Sequence, residues 1–200
     1  MIIAENFVWT HFPRTGGDST VGMFETFGYR SQYERSDFRK HTSFAAAIKW
    51  RMVEPSVLHV CNFRRLIPWL TSMAGLQVRY PRGVFDRQLA LQGEIYLLLS
   101  DQSPELWRAR IDDVLGQFVQ PRVDVWLRTE HLAEDFTRLI RRFRDPTDEQ
   151  LQRVGTIYKN QGRPARRLWT EQECRQIYSA CPRWAALEAE LYGAGTAEGT

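Results

Sequence analysis

Only three cysteines, Cys61, Cys174 and Cys181, occur among the 200 residues, and no two stand in C-x-x-C spacing. An odd number without ligand spacing argues against a disulfide framework, a structural zinc or a redox dithiol, and predicts a reduced, cytoplasmic setting. No apolar run is long enough to cross a bilayer, and no basic segment followed by an apolar stretch opens the sequence, so neither a membrane partner nor a signal peptide is expected. Repeats and low-complexity tracts are absent, which excludes solenoids and compositionally disordered chains. A strong charge imbalance is missing too. Lys and Arg number 27 against 24 Asp and Glu, a net charge of +3. With acidic residues interspersed throughout and no recognition-helix or aromatic RNA-binding signature, a nucleic-acid partner is not expected.

What is present suits a globular protein: 43% hydrophobic, 12% aromatic and 26% charged residues. The expectation is a single domain over residues 1–193, followed by a small, polar and loose tail over 194–200. Arginines concentrate at Arg64-Arg65, Arg79 to Arg87, Arg141-Arg142 and Lys159 to Arg167, as a ligand bearing phosphate or sulfate would require.

Periodicity and punctuation set the order of elements. Phe7 to His11 reads as a buried strand, and Asp18 to Phe27 as a helix capped by Asp18 or Ser19. A second helix follows Thr42 or Ser43 to about Met52, and Ser56 to Asn62 reads as a strand. Helices are expected from Arg65 to Leu76, from Asp86 to near Ser100, and from Ser103-Pro104-Glu105 to about Phe118. Val123 to Leu127 reads as a strand. Thr129 to Phe143 forms an amphipathic helix with Leu132, Phe136, Leu139 and Ile140 on one face. A helix opens at Asp145-Pro146-Thr147, a capping box joins Thr170 and Glu173, and Pro182 to Tyr192 closes the fold. Strands separated by helices predict an α/β fold, helix-rich, with a short and mostly parallel sheet that binds ligands at its carboxyl edge.

The loop His11-Phe12-Pro13-Arg14-Thr15-Gly16-Gly17-Asp18-Ser19-Thr20 lies at that edge. Its glycines allow a tight turn that points backbone N–H groups at one centre, and the following helix adds the positive end of its dipole. Arg14 supplies a permanent cation, and Ser19 and Thr20 supply hydroxyl donors. No G-K-[ST] follows the glycines, so the loop is not a Walker A motif, which argues against an ordinary ATPase or kinase.

The segment resembles the phosphosulfate-binding loop of the sulfotransferases, most of all the carbohydrate-type branch, in which His-x-Pro-Lys-Thr-Gly-Gly-Thr-Ser follows the first strand. His11, Pro13, Thr15, Gly16, Gly17 and Ser19 match it. Arg14 stands where that branch has lysine, as in the tyrosylprotein branch, and Asp18 stands where it has threonine. Arg64 and Ser72 reproduce a second family feature, an arginine after a later strand with a serine eight positions on. Trp126 to Leu132 with Asp135-Phe136 is similar to a strand-to-helix segment of the family, a similarity that is mainly structural. Lys159 to Arg163, with Arg166 and Arg167, is similar to its late donor-covering loop.

The resemblance implies a P-loop-like fold and transfer of a sulfuryl group from 3′-phosphoadenosine 5′-phosphosulfate to a hydroxyl of a sugar or other small molecule, with no metal. It implies that Pro13, Arg14, Thr15, Gly16, Gly17, Asp18, Ser19 and Thr20 hold the phosphosulfate. Arg64 and Ser72 would hold the 3′-phosphate, and Lys159 and Arg163 would cover the donor. Arg14 would stabilise the leaving phosphate. His41, in Arg39-Lys40-His41-Thr42-Ser43, would be the general base, with Glu34 and Asp37 as alternatives. The same residues also fit a non-catalytic phosphoadenosine-binding or nucleotide-binding protein.

Overall fold

The computed structural model describes residues 1–33, 38–77, 85–100, 103–157 and 168–193. Its elements in chain order are β1 (Ile2–Ile3), β2 (Phe7–His11), α1 (Gly17–Thr26), α2 (Phe44–Lys49), β3 (Leu58–Phe63), α3 (Leu66–Gln77), α4 (Arg87–Leu91), β4 (Glu94–Ser100), β5 (Ser103–Arg110), α5 (Ile111–Val119), β6 (Val125–Arg128), α6 (Leu132–Ile140), α7 (Asp148–Ile157), α8 (Glu171–Ala180) and α9 (Pro182–Tyr192). Short 3-10 turns occupy Phe38–His41 and Thr129–His131. Two compact units result: Met1–Phe63 with Gln117–Pro164, and Arg64–Gly116 with Ala165–Thr200. The expected loose tail over 194–200 lies outside the described residues.

The first unit is built on a four-stranded sheet in the order β1-β2-β3-β6. β2, β3 and β6 run parallel, whereas β1 pairs antiparallel through Ile2–Trp9 and Ile3–Val8. The α/β class with a small, mostly parallel sheet is therefore as expected. Alternation along β2 explains how both faces of the sheet are used. Phe7 and Trp9 join Phe24 of α1, Phe136 and Leu139 of α6 and Val154 of α7 in the main core. Val8 points the other way, onto Met1 and onto Phe44 and Ala47 of α2.

α6 buries Leu132, Phe136, Leu139 and Ile140 as its amphipathic pattern demands, and it also buries Asp135. That carboxylate turns back onto Arg128 at the end of β6. It accepts from the Arg128 backbone N–H at 2.9 Å and from two guanidinium nitrogens at 2.8 Å each. A forked donor meeting a carboxylate on two prongs is among the stronger side-chain pairings, and it fixes the angle at which strand passes to helix.

In the second unit α3 packs on α9, with the Trp69 and Trp184 rings 4.7 Å apart. The N-terminus of α9 is capped from outside by Asp112, whose carboxylate accepts from the backbone N–H groups of Arg183 and Trp184 at 2.9 Å each. Thr170 and Glu173 form the expected capping box at α8. Two expected helices are corrected here. Asp86 does open a helix, but α4 ends at Leu91, and the residues that follow form the antiparallel ribbon β4–β5. Gly93, at φ 74°, ends the helix in the left-handed region, and a Cβ there would lie 2.6 Å from the Ala180 carbonyl oxygen. Beyond it Ile95 pairs with Ala109, both buried, and Tyr96 with Arg108, which is exposed. This is a period of two, which a leucine-rich run disguises as a helix when read alone. Pro104, read as a helix start, instead lies in β5, and the helix expected there begins only at Ile111.

Among the described residues no helix is long and apolar enough to cross a membrane.

Candidate anion-binding site

The glycine loop leaves β2 at His11 and enters α1 at Gly17. The helix is capped by Gly16, at φ 84° and ψ 17°, a residue with no side chain to bond its first amides. This corrects the expectation that Asp18 or Ser19 caps it. The first intrahelical bond runs from Thr20 N to Gly16 O at 3.0 Å. The N–H groups of Gly17, Asp18 and Ser19 thus belong to the set that an α-helix leaves without an internal partner.

Arg14 is also left-handed, at φ 67°. For a residue with a side chain this costs roughly 1–2 kcal/mol. Positive φ at Arg14 and Gly16, on either side of Thr15, is backbone of the kind that anion-binding nests use. The Arg14 side chain is exposed, and so is that of Asp18, which lies on the first helical turn with Lys40 Nζ 4.0 Å from its carboxylate.

From beneath, the loop is braced by polar side chains that the sequence reading did not single out. Asn62, at the end of β3, donates through Nδ2 to the Thr15 carbonyl at 2.8 Å and to Thr20 Oγ1 at 2.9 Å. Its Oδ1 accepts from the Trp9 indole N–H at 2.6 Å. Thr129 Oγ1 lies 2.9 Å from both the Thr15 and Phe63 carbonyls and shares its single proton between them. Thr15, fully buried, donates to the Phe12 carbonyl at 2.6 Å, and Thr20 donates to Gly16 O at 3.1 Å. The threonine hydroxyls therefore hold the loop's shape. The groups the loop itself offers an anion are its amides, the Ser19 hydroxyl and the exposed Arg14 side chain. Asn62 carries the one signal that could have found it, a carboxamide next to last in the strand β3, near the sheet's carboxyl edge.

Beside the loop two histidines come together. The His11 ring, 4% exposed, stacks on Trp9 at 4.9 Å and 7° and meets the His41 ring at 4.5 Å and 57°. Both imidazoles are held neutral. Burial, with His41, the Met1 amino group and Lys40 nearby, keeps the His11 pKa well below its ordinary value. Burial and Lys40 lower that of His41 to about 4. A pocket of about 590 Å³ opens next to this pair. His11 and Asp18 line it, Val21 and Glu25 continue it along α1, and Tyr33 and Lys40 face them. His59, by contrast, is structural: Nδ1 donates to the Arg122 carbonyl at 2.5 Å and Nε2 accepts from Thr10 Oγ1 at 2.8 Å.

The second motif belongs to the second unit. Arg64 directly follows β3, and its carbonyl accepts from the Trp184 indole at 3.1 Å. Ser72 sits half-buried in α3. The N-terminus of α3 is already engaged, because the buried Glu188 carboxylate accepts from Leu66 N at 2.8 Å and from the Tyr178 hydroxyl at 2.9 Å. A phosphate here would rely on side chains rather than on the helix end. Lys159, Arg163, Arg166 and Arg167, and likewise Glu34 and Asp37, lie outside the described residues. Among the described residues no cluster of three or more His, Cys, Asp or Glu could hold a metal ion.

No family model, curated protein or solved structure matches the chain. Fold and site together define an α/β protein whose first parallel strand leads through a braced glycine loop into an open helix N-terminus.

Proposed function

We propose that the chain is a sulfotransferase of P-loop-like fold that moves a sulfuryl group from 3′-phosphoadenosine 5′-phosphosulfate to a hydroxyl acceptor. The observation that carries this reading is the left-handed pair Arg14 and Gly16 ahead of a helix with glycine at its N-cap, in the loop whose sequence resembles the phosphosulfate-binding motif. In the transfer the acceptor oxygen bonds to sulfur while the bond from sulfur to the 5′-phosphate oxygen breaks, and the electron pair leaves with the phosphate. Arg14 and the amides of Gly17 to Ser19 offset the charge that gathers on that oxygen. The acceptor's proton passes to a neutral imidazole, for which His41 is the candidate, and the adjoining pocket receives the acceptor. Arg64 and Ser72 are the candidates to bind the 3′-phosphate, and Lys159 and Arg163, outside the described residues, are candidates for further donor contacts.

Calorimetric titration without magnesium tests the reading, using 3′-phosphoadenosine 5′-phosphate against ATP and AMP. Tight binding that depends on the 3′-phosphate is expected; equal affinity for all three would remove the reading.

One observation favours a second reading, a phosphoadenosine-binding protein without turnover. The Asp18 carboxylate is exposed at the cradle rather than turned inward to cap its helix, and it would repel a phosphosulfate. Binding of the 3′,5′-bisphosphate with no acceptor-dependent release of it from the phosphosulfate would select that alternative.

A further inference from the structure

We propose that His11 is a positioning residue: its ring sets the glycine loop against the His41 imidazole, and the loop's second glycine is there to seat that ring. The steric part of this inference stands independently, while the consequence for turnover rests on the sulfotransferase reading.

The two glycines of the loop have different physical causes. Gly16 is required by its backbone, at φ 84°; a Cβ there would meet only ordinary contacts, 3.5 Å from Leu132 Cδ2 and 3.6 Å from Thr129 Cγ2. At Gly17 the reverse holds. Its φ lies outside the left-handed region, but a Cβ would fall 2.1 Å from His11 Nδ1, 2.3 Å from Cε1 and 2.8 Å from Cγ. No side chain fits while that ring is in place, and the ring has little freedom to leave. Strand alternation puts Trp9 and His11 on one face, where the rings lie nearly parallel. Trp9 is held by Asn62, the same amide that holds the Thr15 carbonyl of the loop.

Gly17, His11 and His41 thus form one packed series, with Asn62 tying its far side to the loop. The titratable and charged groups around the two imidazoles are the Met1 amino group, Lys40 and Asp18. A displacement of His11 moves the first turn of α1 and the His41 ring together. The loop that binds the anion and the base that takes the acceptor's proton are therefore set by a single side chain.

A double-mutant cycle over Gly17→Ala and His11→Ala tests this, with His11→Phe as the variant that keeps a flat ring. Gly17→Ala alone is expected to lower Tm by about 5 °C or more and to weaken 3′-phosphoadenosine 5′-phosphate binding at least tenfold. In the His11→Ala background the same substitution should recover at least half of both losses. The NMR signals of the His41 ring should move in His11→Ala and remain close to wild type in His11→Phe. Wild-type Tm and affinity in Gly17→Ala, or additive losses in the double variant, would overturn the steric coupling. Unmoved His41 signals in His11→Ala would overturn its positioning. Should the wild-type protein not bind the bisphosphate at all, the sulfotransferase reading falls, and the Tm cycle alone still decides the coupling.

Discussion

Asn62 donates to the carbonyl of Thr15 across 47 residues of sequence, at 2.8 Å and in a fully buried setting. The amide's orientation is fixed because the Trp9 indole can only donate, so the oxygen must face Trp9 and the nitrogen must face the loop. The cradle is consequently held in shape by a residue on the neighbouring strand, before any ligand arrives.

Asn62→Leu keeps the volume but leaves the Trp9 N–H without an acceptor and removes one donor from the Thr15 carbonyl. Each buried group deprived of its partner costs about 1–3 kcal/mol, so a loss of about 3 kcal/mol is expected, read as a lower urea midpoint. Anion affinity should fall with it. A variant as stable as wild type would show that the loop needs no brace from β3.

Arg14 combines a functional side chain with a strained backbone, and one substitution separates the two. Arg14→Gly relieves the left-handed conformation at φ 67° but makes the unfolded chain more flexible, so Tm should stay level or rise by a few degrees. Binding of 3′-phosphoadenosine 5′-phosphate should weaken at least tenfold, about 1.4 kcal/mol. A variant that loses stability and keeps affinity would reverse the assignment.

Much of this was legible in sequence because it is local. The strand Phe7–His11, the Ser43 cap, the Thr170 and Glu173 capping box and the closing helix Pro182–Tyr192 each rest on residues within a turn or two of one another. The ribbon β4–β5 was not legible, because pairing between distant residues decided between strand and helix for a run that suits both. The same limit applied at the site. The loop announced itself through its glycines and Arg14, whereas its supports Asn62 and Thr129 and the meeting of His11 with His41 exist only through contacts between elements far apart in the chain.

Asp135 tests the strand-to-helix corner. It is 5% exposed and bonds to both the backbone and the guanidinium of Arg128. Asp135→Ala removes the carboxylate from a partly buried guanidinium and a backbone amide, and should cost about 3 kcal/mol. Asp135→Asn, which retains one acceptor, should recover part of the loss. Equal stability of Ala and Asn variants in urea unfolding would mean that the pair contributes nothing by its hydrogen bonds.

Acid stability follows from the buried His11 and His59 and the half-buried His41. His11 lies well below its ordinary pKa, and His41 and His59 lie at about 4. The unfolded chain takes up protons near pH 6.5, where the folded one resists them, so the stabilisation is complete above that pH. It declines as pH falls toward 4, by up to about 1.4 kcal/mol per unit for each histidine. Carboxylates with lowered pKa do not produce the same slope: Asp124, held down by bonds to the His59 backbone and Arg122, and Glu173, held at about 2 by Thr170 and Arg87, have unfolded values of 3.8 and 4.5. Their contribution begins to be lost only as pH falls through those unfolded values, at the acid end of the histidine window. Urea midpoints measured from pH 7 to 4.5 should therefore drop steeply and continuously. His59→Gln should reduce that slope by about one proton's worth while lowering stability at pH 7, since it breaks the bond from Nδ1 to the Arg122 carbonyl. A flat profile between pH 6.5 and 5 would mean that the histidines are charged in the folded protein, which would undo the neutral-imidazole role given to His41.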